Sequence, residues 1–300
     1  GIKALLFDIY GTLLVSGTGD FGTLDAGGRP AAMQAAFRAA GVRLSAAESQ
    51  REAGRLDAAL RADRGARQRA GVAHPEVDIE QIWQTVASGV WREQGRRADS
   101  LTRSLVRRLA VEYEGRVNPV WPMPGLSDCL RQLRSRRFVM GIVSNAQFYT
   151  RELFPALLGH RAEAWGFDPA LQFYSYEHGR AKPGISLYRM AAEQLTARNI
   201  APAEVLYVGN DMLNDIVPAA RVGFRTALFA GDARSLRRRR GDPRVNGVSA
   251  LAVLTIRYSK FLVWALRCRS MSNPASRMTS RSLLMRRPSW AGFLYSNSRL

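Results

Sequence analysis

Apolar positions follow two rhythms along this chain. Short unbroken runs, Ala4-Leu5-Leu6-Phe7, Phe138-Val-Met-Gly-Ile-Val143 and Glu204-Val-Leu-Tyr-Val-Gly209, have the pattern of strands buried on both faces of a parallel sheet. Leu171 to Tyr176 and Val222 to Phe229 are weaker runs of the same kind, and Val248 to Thr255 allows one last strand. Elsewhere the apolar residues recur at helical intervals. Pro30 to Gly41 reads as a helix closed by a glycine, and Ser45-Ala-Ala-Glu48 has the spacing of a capping box. Ile79, Ile82, Trp83, Val86 and Val90 form one stripe, Leu101, Leu105, Leu109 and Val111 a less regular one, and Leu126, Leu130 and Leu133 a third. A further helix is predicted around Ser186 to Leu195. Alternation of strand and helix predicts an α/β fold, a Rossmann-like parallel sheet with helices on both faces.

The order of the elements predicts the organisation of the chain. A helical stretch from Arg29 to about Arg116 directly follows the first strand, as an inserted helical cap would. Residues 1–20 and 117–255 are then a discontinuous core, residues 21–116 the cap, and residues 256–300 a tail. Pro119 to Gly125 reads as a rigid, turn-rich connector. Ser16 to Gly22 is a glycine-rich loop without a P-loop lysine, either a flap beside a site or a plain connector.

Charge changes the picture only at the end of the chain. The net charge is +19 over 300 residues, but residues 1–233 hold 29 basic and 24 acidic side chains, against 15 and one for residues 234–300. The excess belongs to the tail, where apolar periodicity also fades. That tail reads as a disordered basic segment, as an arm for nucleic acid or anionic membrane, or as the product of a shifted reading frame. Two cysteines form no disulfide framework and three scattered histidines no zinc signature. The longest apolar run of the tail, Phe261 to Leu266, is too short to span a bilayer. No secretory leader is recognisable, so a reducing, cytoplasmic setting is expected. The oligomeric state is left open.

Candidate chemistry lies at the strand ends, where ligands of open α/β sheets bind. Asp8 ends the first strand before Tyr10-Gly11-Thr12, and alone it could simply satisfy turn amides. Three later strand ends or following loops carry matching groups: Ser144 with Asn145, Lys182, and the pair Asp211 and Asp215. Lys182 is notable in a chain with three lysines against 41 arginines, because a flexible point charge there suggests that a planar fork would not fit. Asp215 suits the alternative role of capping the following helix; Asp211 suits it less.

Asp8-Ile-Tyr-Gly-Thr12, Ser144-Asn145, Gly179-Arg-Ala-Lys182-Pro183 and Gly209-Asn-Asp-Met-Leu-Asn-Asp215, in this order, resemble the haloacid dehalogenase superfamily of hydrolases over about residues 4–233. The resemblance implies covalent catalysis in which Asp8 attacks and its ester or acyl phosphate is then hydrolysed. It assigns Ser144, Asn145, Lys182 and Thr12 to a small anionic substrate. It also assigns Mg²⁺ to Asp8, the carbonyl of Tyr10, Asp211 and Asp215, a ligand set thin enough for an ion that keeps its waters.

The chain departs from the superfamily's phosphatases at one position, since Tyr10 stands where those enzymes carry a second, proton-donating aspartate. A tyrosine there and Ser144-Asn145 resemble instead the metal-independent 2-haloacid dehalogenases, whose halide leaves without a proton. Asp211 opposes that reading, because an unshielded carboxylate repels a departing halide. A Mg²⁺-dependent phosphohydrolase is the preferred expectation, a dehalogenase the alternative, and a catalytically silent binding protein of the same fold the third.

Overall fold

The computed structural model describes residues 1–17, 28–231, 235–248, 250 and 252–254. The six-stranded sheet has β1 (Ala4–Phe7) inside it, flanked by β4 (Val139–Ser144) and β6 (Val205–Gly209). Outward from β4 lies β5 (Phe167–Tyr174), and outward from β6 lie β7 (Arg225–Phe229) and β8 (Ala252–Leu254). Every pairing is parallel. Ala4 is in register with Val139 on one side and Val205 on the other, and Phe7 with Ile142 and Val208. Asp8 therefore leaves the sheet level with Gly209 and next to Ser144. The chain's later strands add on both sides of β1, which makes this a topological switch point.

Alternation along β1 explains why all four of its residues are apolar. Leu5 and Phe7 face a core built with Leu126, Leu130 and Leu133 of α5 (Leu126–Ser135) and Phe154 of α6 (Leu153–Leu158). Ala4 and Leu6 face the opposite core, with Leu187, Tyr188, Ala191 and Leu195 of α8 (Ser186–Thr196) and Ala219 of α9 (Val217–Arg221). Each fully buried leucine of these faces is worth about 1.5–3 kcal/mol relative to an exposed one. Nothing on β1 is left for solvent, so its polar residue can only be at its end.

Between β1 and α5 stand four long helices: α1 (Gly28–Ala39), α2 (Ala46–Arg69), α3 (Ile79–Glu93) and α4 (Arg103–Val117). They pack around their own core, in which Phe37, Trp83, Trp91 and Leu109 are buried. The α3 stripe buries Ile79, Ile82, Trp83, Val86, Ala87, Val90 and Trp91, the expected face widened by two residues. The Ser45 capping box is formed, with Glu48 N donating to Ser45 Oγ at 3.2 Å and Ser45 N to Glu48 Oε2 at 2.7 Å.

The structure departs from the sequence reading in three places. The Pro119–Gly125 connector contains a strand, β3 (Val120–Pro122), antiparallel to β2 (Leu14–Ser16). A proline is tolerated there because the two-stranded ribbon has a free edge. β5 starts earlier than Leu171 and ends at Tyr174, where the chain coils into α7 (Ser175–His178). The helical stretch is interrupted at residues 70–78, a break that shapes the site described below.

Most of the Ser16–Gly22 loop and the whole 256–300 tail lie outside the described residues. Among the described residues no helix is long and apolar enough to cross a membrane.

Candidate active site

Asp8 is buried, 4% exposed, and its two carboxylate oxygens are in different situations. Oδ1 accepts from Ser144 Oγ at 2.8 Å and from Lys182 Nζ at 2.7 Å. Oδ2 accepts no hydrogen bond from any described residue, and Asp8 lines a cavity of about 440 Å³. One oxygen is thus fixed and the other is presented. That is the arrangement a carboxylate nucleophile requires, because held geometry replaces the entropy a free reactant would lose.

Lys182 is itself held on all sides. Its ammonium donates to Asp215 Oδ1 at 2.5 Å as well as to Asp8, with the Tyr207 hydroxyl 3.4 Å away. Burial alone would lower the lysine's pKa, but the Asp215 and Asp8 carboxylates outweigh it, and Lys182 is held protonated well above its ordinary range. Asp215 is pushed upward by burial and by the charges of Asp8 and Asp211, and Lys182 opposes this. A lysine that stays charged can neutralise an anion arriving at Asp8.

Close approach of Asp215 explains Gly209. A Cβ on Gly209 would meet the Asp215 carboxyl carbon at 2.4 Å. Gly11 has a similar reason: its φ of +84° favours glycine, and a Cβ would run into the Asn210 side chain at 2.4 Å.

The two acids after β6 exchange the roles that sequence alone suggested. Asp211, not Asp215, is the helix cap, accepting from Leu213 N at 2.8 Å and Asn214 N at 3.2 Å at the start of the wide turn Met212–Ile216. Asp215 turns inward to Lys182 and accepts from Asp211 N at 2.9 Å. The exchange follows from the strand exit, where an extended Asp211 backbone (φ −119°, ψ 121°) is the conformation of an N-cap. Asp211 also carries a guanidinium: Arg239 Nη2 donates to its Oδ2 at 2.6 Å, and Nε lies 3.1 and 3.2 Å from the two oxygens.

Two residues expected on the substrate support the site from behind. Thr12 is fully buried and donates to Asn210 Oδ1 at 3.2 Å. Asn145 clamps the Lys182 backbone, its Oδ1 accepting from Lys182 N at 2.7 Å and its Nδ2 donating to Lys182 O at 3.2 Å, although it also borders the cavity. Ser144, fully buried, touches Asp8. The Tyr10 hydroxyl shares a hydrogen bond with Thr150 Oγ1 at 2.9 Å, and burial raises its pKa, so it stays protonated.

The rest of the cavity wall comes from residues that no motif marks. Arg64 and Gln68 of α2, His74 and Glu76 from the break at 70–78, and Asn118 after α4 close it over Asp8. The break is docked onto the loop carrying Lys182: Ala181 N donates to His74 O at 2.8 Å and Glu76 N to Gly179 O at 3.2 Å. Glu76 further accepts from Ser175 Oγ at 2.6 Å and Gln147 Nε2 at 3.0 Å, while burial raises its pKa. The only signal of this in the sequence is the interruption of the helical pattern.

The donor set suits a hard cation. Asp8 Oδ2 and the Tyr10 carbonyl accept no hydrogen bond from a described residue, and Asp211 stands in the same cavity wall. All three are oxygens, as Mg²⁺ prefers, and a thin set leaves room for water. No group of three or more His, Cys, Asp or Glu side chains arranged to hold a metal occurs among the described residues, so a backbone carbonyl would have to contribute. The residues fit Mg²⁺ if Arg239 releases Asp211.

Comparison with known proteins bears on the family and the fold. The Rhythmically expressed gene 2 protein of Drosophila melanogaster is 26% identical over 161 residues, covering 52% of this chain and 59% of that protein. A hydrolase of Schizosaccharomyces pombe is 29% identical over 105 residues, covering 33% and 42%. The chain thus spans about half the length of these curated relatives. The fold is that of a 2-haloacid dehalogenase from Pseudomonas syringae pv. Tomato, with TM-score 0.57, 17% identity and coverage of 89% of this chain and 100% of the other. A Bacillus subtilis HAD-hydrolase described as bound to magnesium has TM-score 0.46 at 17% identity, covering 88% and 98%. The sequence profile of haloacid dehalogenase-like hydrolases matches residues 2–223, which include Asp8, Ser144, Lys182, Asp211 and Asp215, and this chain belongs to that family.

Proposed function

We propose that this hydrolase cleaves a small phosphorylated metabolite through a covalent intermediate on Asp8, with Mg²⁺ as cofactor. The observation that carries the reading is Asp8 itself, which borders the cavity and is gripped through Oδ1 by Lys182 and Ser144 while Oδ2 accepts no hydrogen bond from a described residue. Asp8 Oδ2 forms a bond to phosphorus as the bond to the ester oxygen breaks, and that oxygen leaves with the bonding pair and takes its proton from water. Water then attacks the same phosphorus, the phosphoryl leaves as inorganic phosphate, and the carboxylate is restored. Lys182 offsets the charge that accumulates between nucleophile and phosphoryl oxygens. Asp8 Oδ2, the Tyr10 carbonyl and Asp211 would hold Mg²⁺, which when bound supplies further positive charge to the phosphoryl oxygens. The helical layer α1–α4 acts as the cap, and Arg64, Gln68 and His74 meet the part of the substrate away from phosphorus.

The cavity's size supports a substrate larger than a two- or three-carbon acid, since about 440 Å³ is in the range of sites for whole metabolites. Hydrolysis of an aryl phosphate should require Mg²⁺ and disappear in Asp8→Asn. Activity indifferent to a chelator, or retained in Asp8→Asn, refutes the proposal.

A metal-independent 2-haloacid dehalogenase is the second reading, favoured by Tyr10. Its hydroxyl is tied to Thr150 and held protonated, so no carboxylic acid stands at that position to protonate an alkoxide. Halide release from a 2-halo acid in the presence of chelator supports this alternative. No release across chloro and bromo acids removes it.

A further inference from the structure

Arg239 is placed by a strap that crosses the mouth of β6. Ser235 O accepts from Asn210 Nδ2 at 2.6 Å, Arg237 N donates to Asn210 O at 2.9 Å, and Met212 N donates to Arg237 O at 2.9 Å. These bonds fix the strap's backbone beside Asp211 and make a parallel bridge between Asp211 and Arg237. Two residues on, Arg239 has a φ of +51°, a left-handed conformation that costs a non-glycine residue about 1 kcal/mol. That backbone carries a guanidinium that reaches both oxygens of Asp211. Sparse backbone conformations of this kind persist where the surroundings over-determine them, and here the surroundings include the strap's backbone bonds and the pair with Asp211, which lines the cavity.

We propose that Arg239 occupies the cation position on Asp211 and competes there with a divalent metal ion, so that loading the site requires the guanidinium to let go. The inference rests on the Mg²⁺-assisted reading above and adds a residue that no motif of the chain contains. Both oxygens of Asp211 are already engaged: Oδ1 by two backbone amides and Arg239 Nε, Oδ2 by Asn214 Nδ2 at 3.3 Å and by Arg239 Nε and Nη2. Arg239 lies outside the cavity lining but bonds both oxygens, so a metal ion on either one would sit beside the guanidinium and the two positive charges would repel. Among the described residues no such competitor bonds the Asp8 Oδ2 and Tyr10 carbonyl oxygens, so Asp211 is the ligand at which affinity is set.

Release is feasible because the two sides of the pair differ in burial. The Asp211 side chain is 5% exposed and the Arg239 side chain 32%, so the arginine can swing to water while the acid stays in place. Asp242 lies close enough to feel the charge of Arg239, although Arg244 dominates it, and offers the freed guanidinium a second acid. Bidentate arginine–carboxylate bonds are among the stronger charge-assisted ones, and exposure of one partner weakens the pair. Together these predict an affinity penalty for metal of about tenfold, an obstacle a cellular Mg²⁺ concentration can overcome.

Isothermal calorimetry with MgCl₂, repeated by paramagnetic resonance with MnCl₂, tests this on the full chain without substrate. Arg239→Gln should bind either ion about tenfold more tightly than the unaltered protein, and Arg239→Lys, which keeps the charge but not the fork, should fall between. The gain should vanish in Arg239→Gln/Asp211→Asn. Metal affinity unchanged or weakened in both arginine variants, or no binding in any protein, overturns the proposal. Thermal melts establish that each variant is folded, and Arg239→Lys decides the question if Arg239→Gln is not. Because no turnover is measured, the two readings fail separately: competition for metal without phosphate-ester hydrolysis refutes the phosphohydrolase and leaves the competition intact.

Discussion

Replacing Lys182 by methionine keeps the length of the side chain and removes its charge. In the folded protein this leaves Asp8 and Asp215, both almost completely buried, without the ammonium that lies 2.7 and 2.5 Å from them. Removing one partner of a buried pair typically costs about 3–5 kcal/mol, because the other charge stays buried and uncompensated. Here two carboxylates are abandoned together, so the upper half of that range is expected at pH 8. For a chain of this size about 4 kcal/mol corresponds to a fall in Tm of roughly 8–16 °C.

The loss should depend on pH. Burial already raises Asp215, and without Lys182 it rises further. A carboxyl whose folded-state pKa lies above its unfolded value weakens the fold as pH increases between the two values and weakens it fully above the folded one. Lys182→Met should therefore be closest to the unaltered protein near pH 5 and furthest from it near pH 8. Adding Asp215→Asn removes one of the stranded charges, and the double variant should recover about 1–3 kcal/mol. Hydrolytic activity should drop by about a thousandfold or more in both, as when a transition-state donor is removed. Differential scanning calorimetry from pH 5 to pH 8 and a steady-state assay measure all of this. Lys182→Met within 1 kcal/mol of the unaltered protein at pH 8, or the double variant less stable than the single, refutes the reasoning.

Other consequences are simpler. With no carboxylic acid at position 10, leaving groups that need no proton should be favoured, so aryl and acyl phosphates should turn over about 10²–10⁴-fold faster than alkyl phosphates. Tyr10→Asp should narrow that ratio, and a ratio near one in the unaltered protein excludes the explanation. Glu114, raised to about 7 chiefly by burial, should destabilise the fold as pH climbs from about 4.5 to 7. The effect is at most about 3 kcal/mol, and Glu114→Gln should flatten that part of the stability curve; an unchanged slope contradicts it.

The sheet and the central triad were legible because they obey one rule. Each strand that leads to the site reads as an apolar run that stops at, or leads into, a polar group, and parallel pairing lines those ends up. Asp8, Ser144 and Lys182 came together as expected, with Asp215 completing the set. Asp211 was assigned a less suitable capping role because capping depends on the φ and ψ at the strand exit, which an Asp-x-x-x-Asp spacing does not encode. Thr12 belongs to a motif whose other members meet at the site, yet it does not line the cavity, and its hydroxyl donates to Asn210. Arg239 sits where dense arginines open what reads as the basic tail, and only the strap's backbone bonds single it out. Arg64 was one of several arginines of the helical stretch that could meet an anionic substrate but read as readily as a solvated helix face, and His74 lies in the break after α2, where no apolar stripe runs.

The proposed chemistry depends on Asp8 becoming covalently linked to the substrate. The direct measurement is rapid acid quench of the enzyme mixed with excess aryl phosphate, followed by intact-mass analysis and peptide mapping. A phosphoryl adduct is expected on the peptide containing Asp8, formed and lost at rates compatible with turnover and absent in Asp8→Asn. Turnover with no adduct on Asp8 at any quench time, or an adduct on another residue that survives Asp8→Asn, contradicts it.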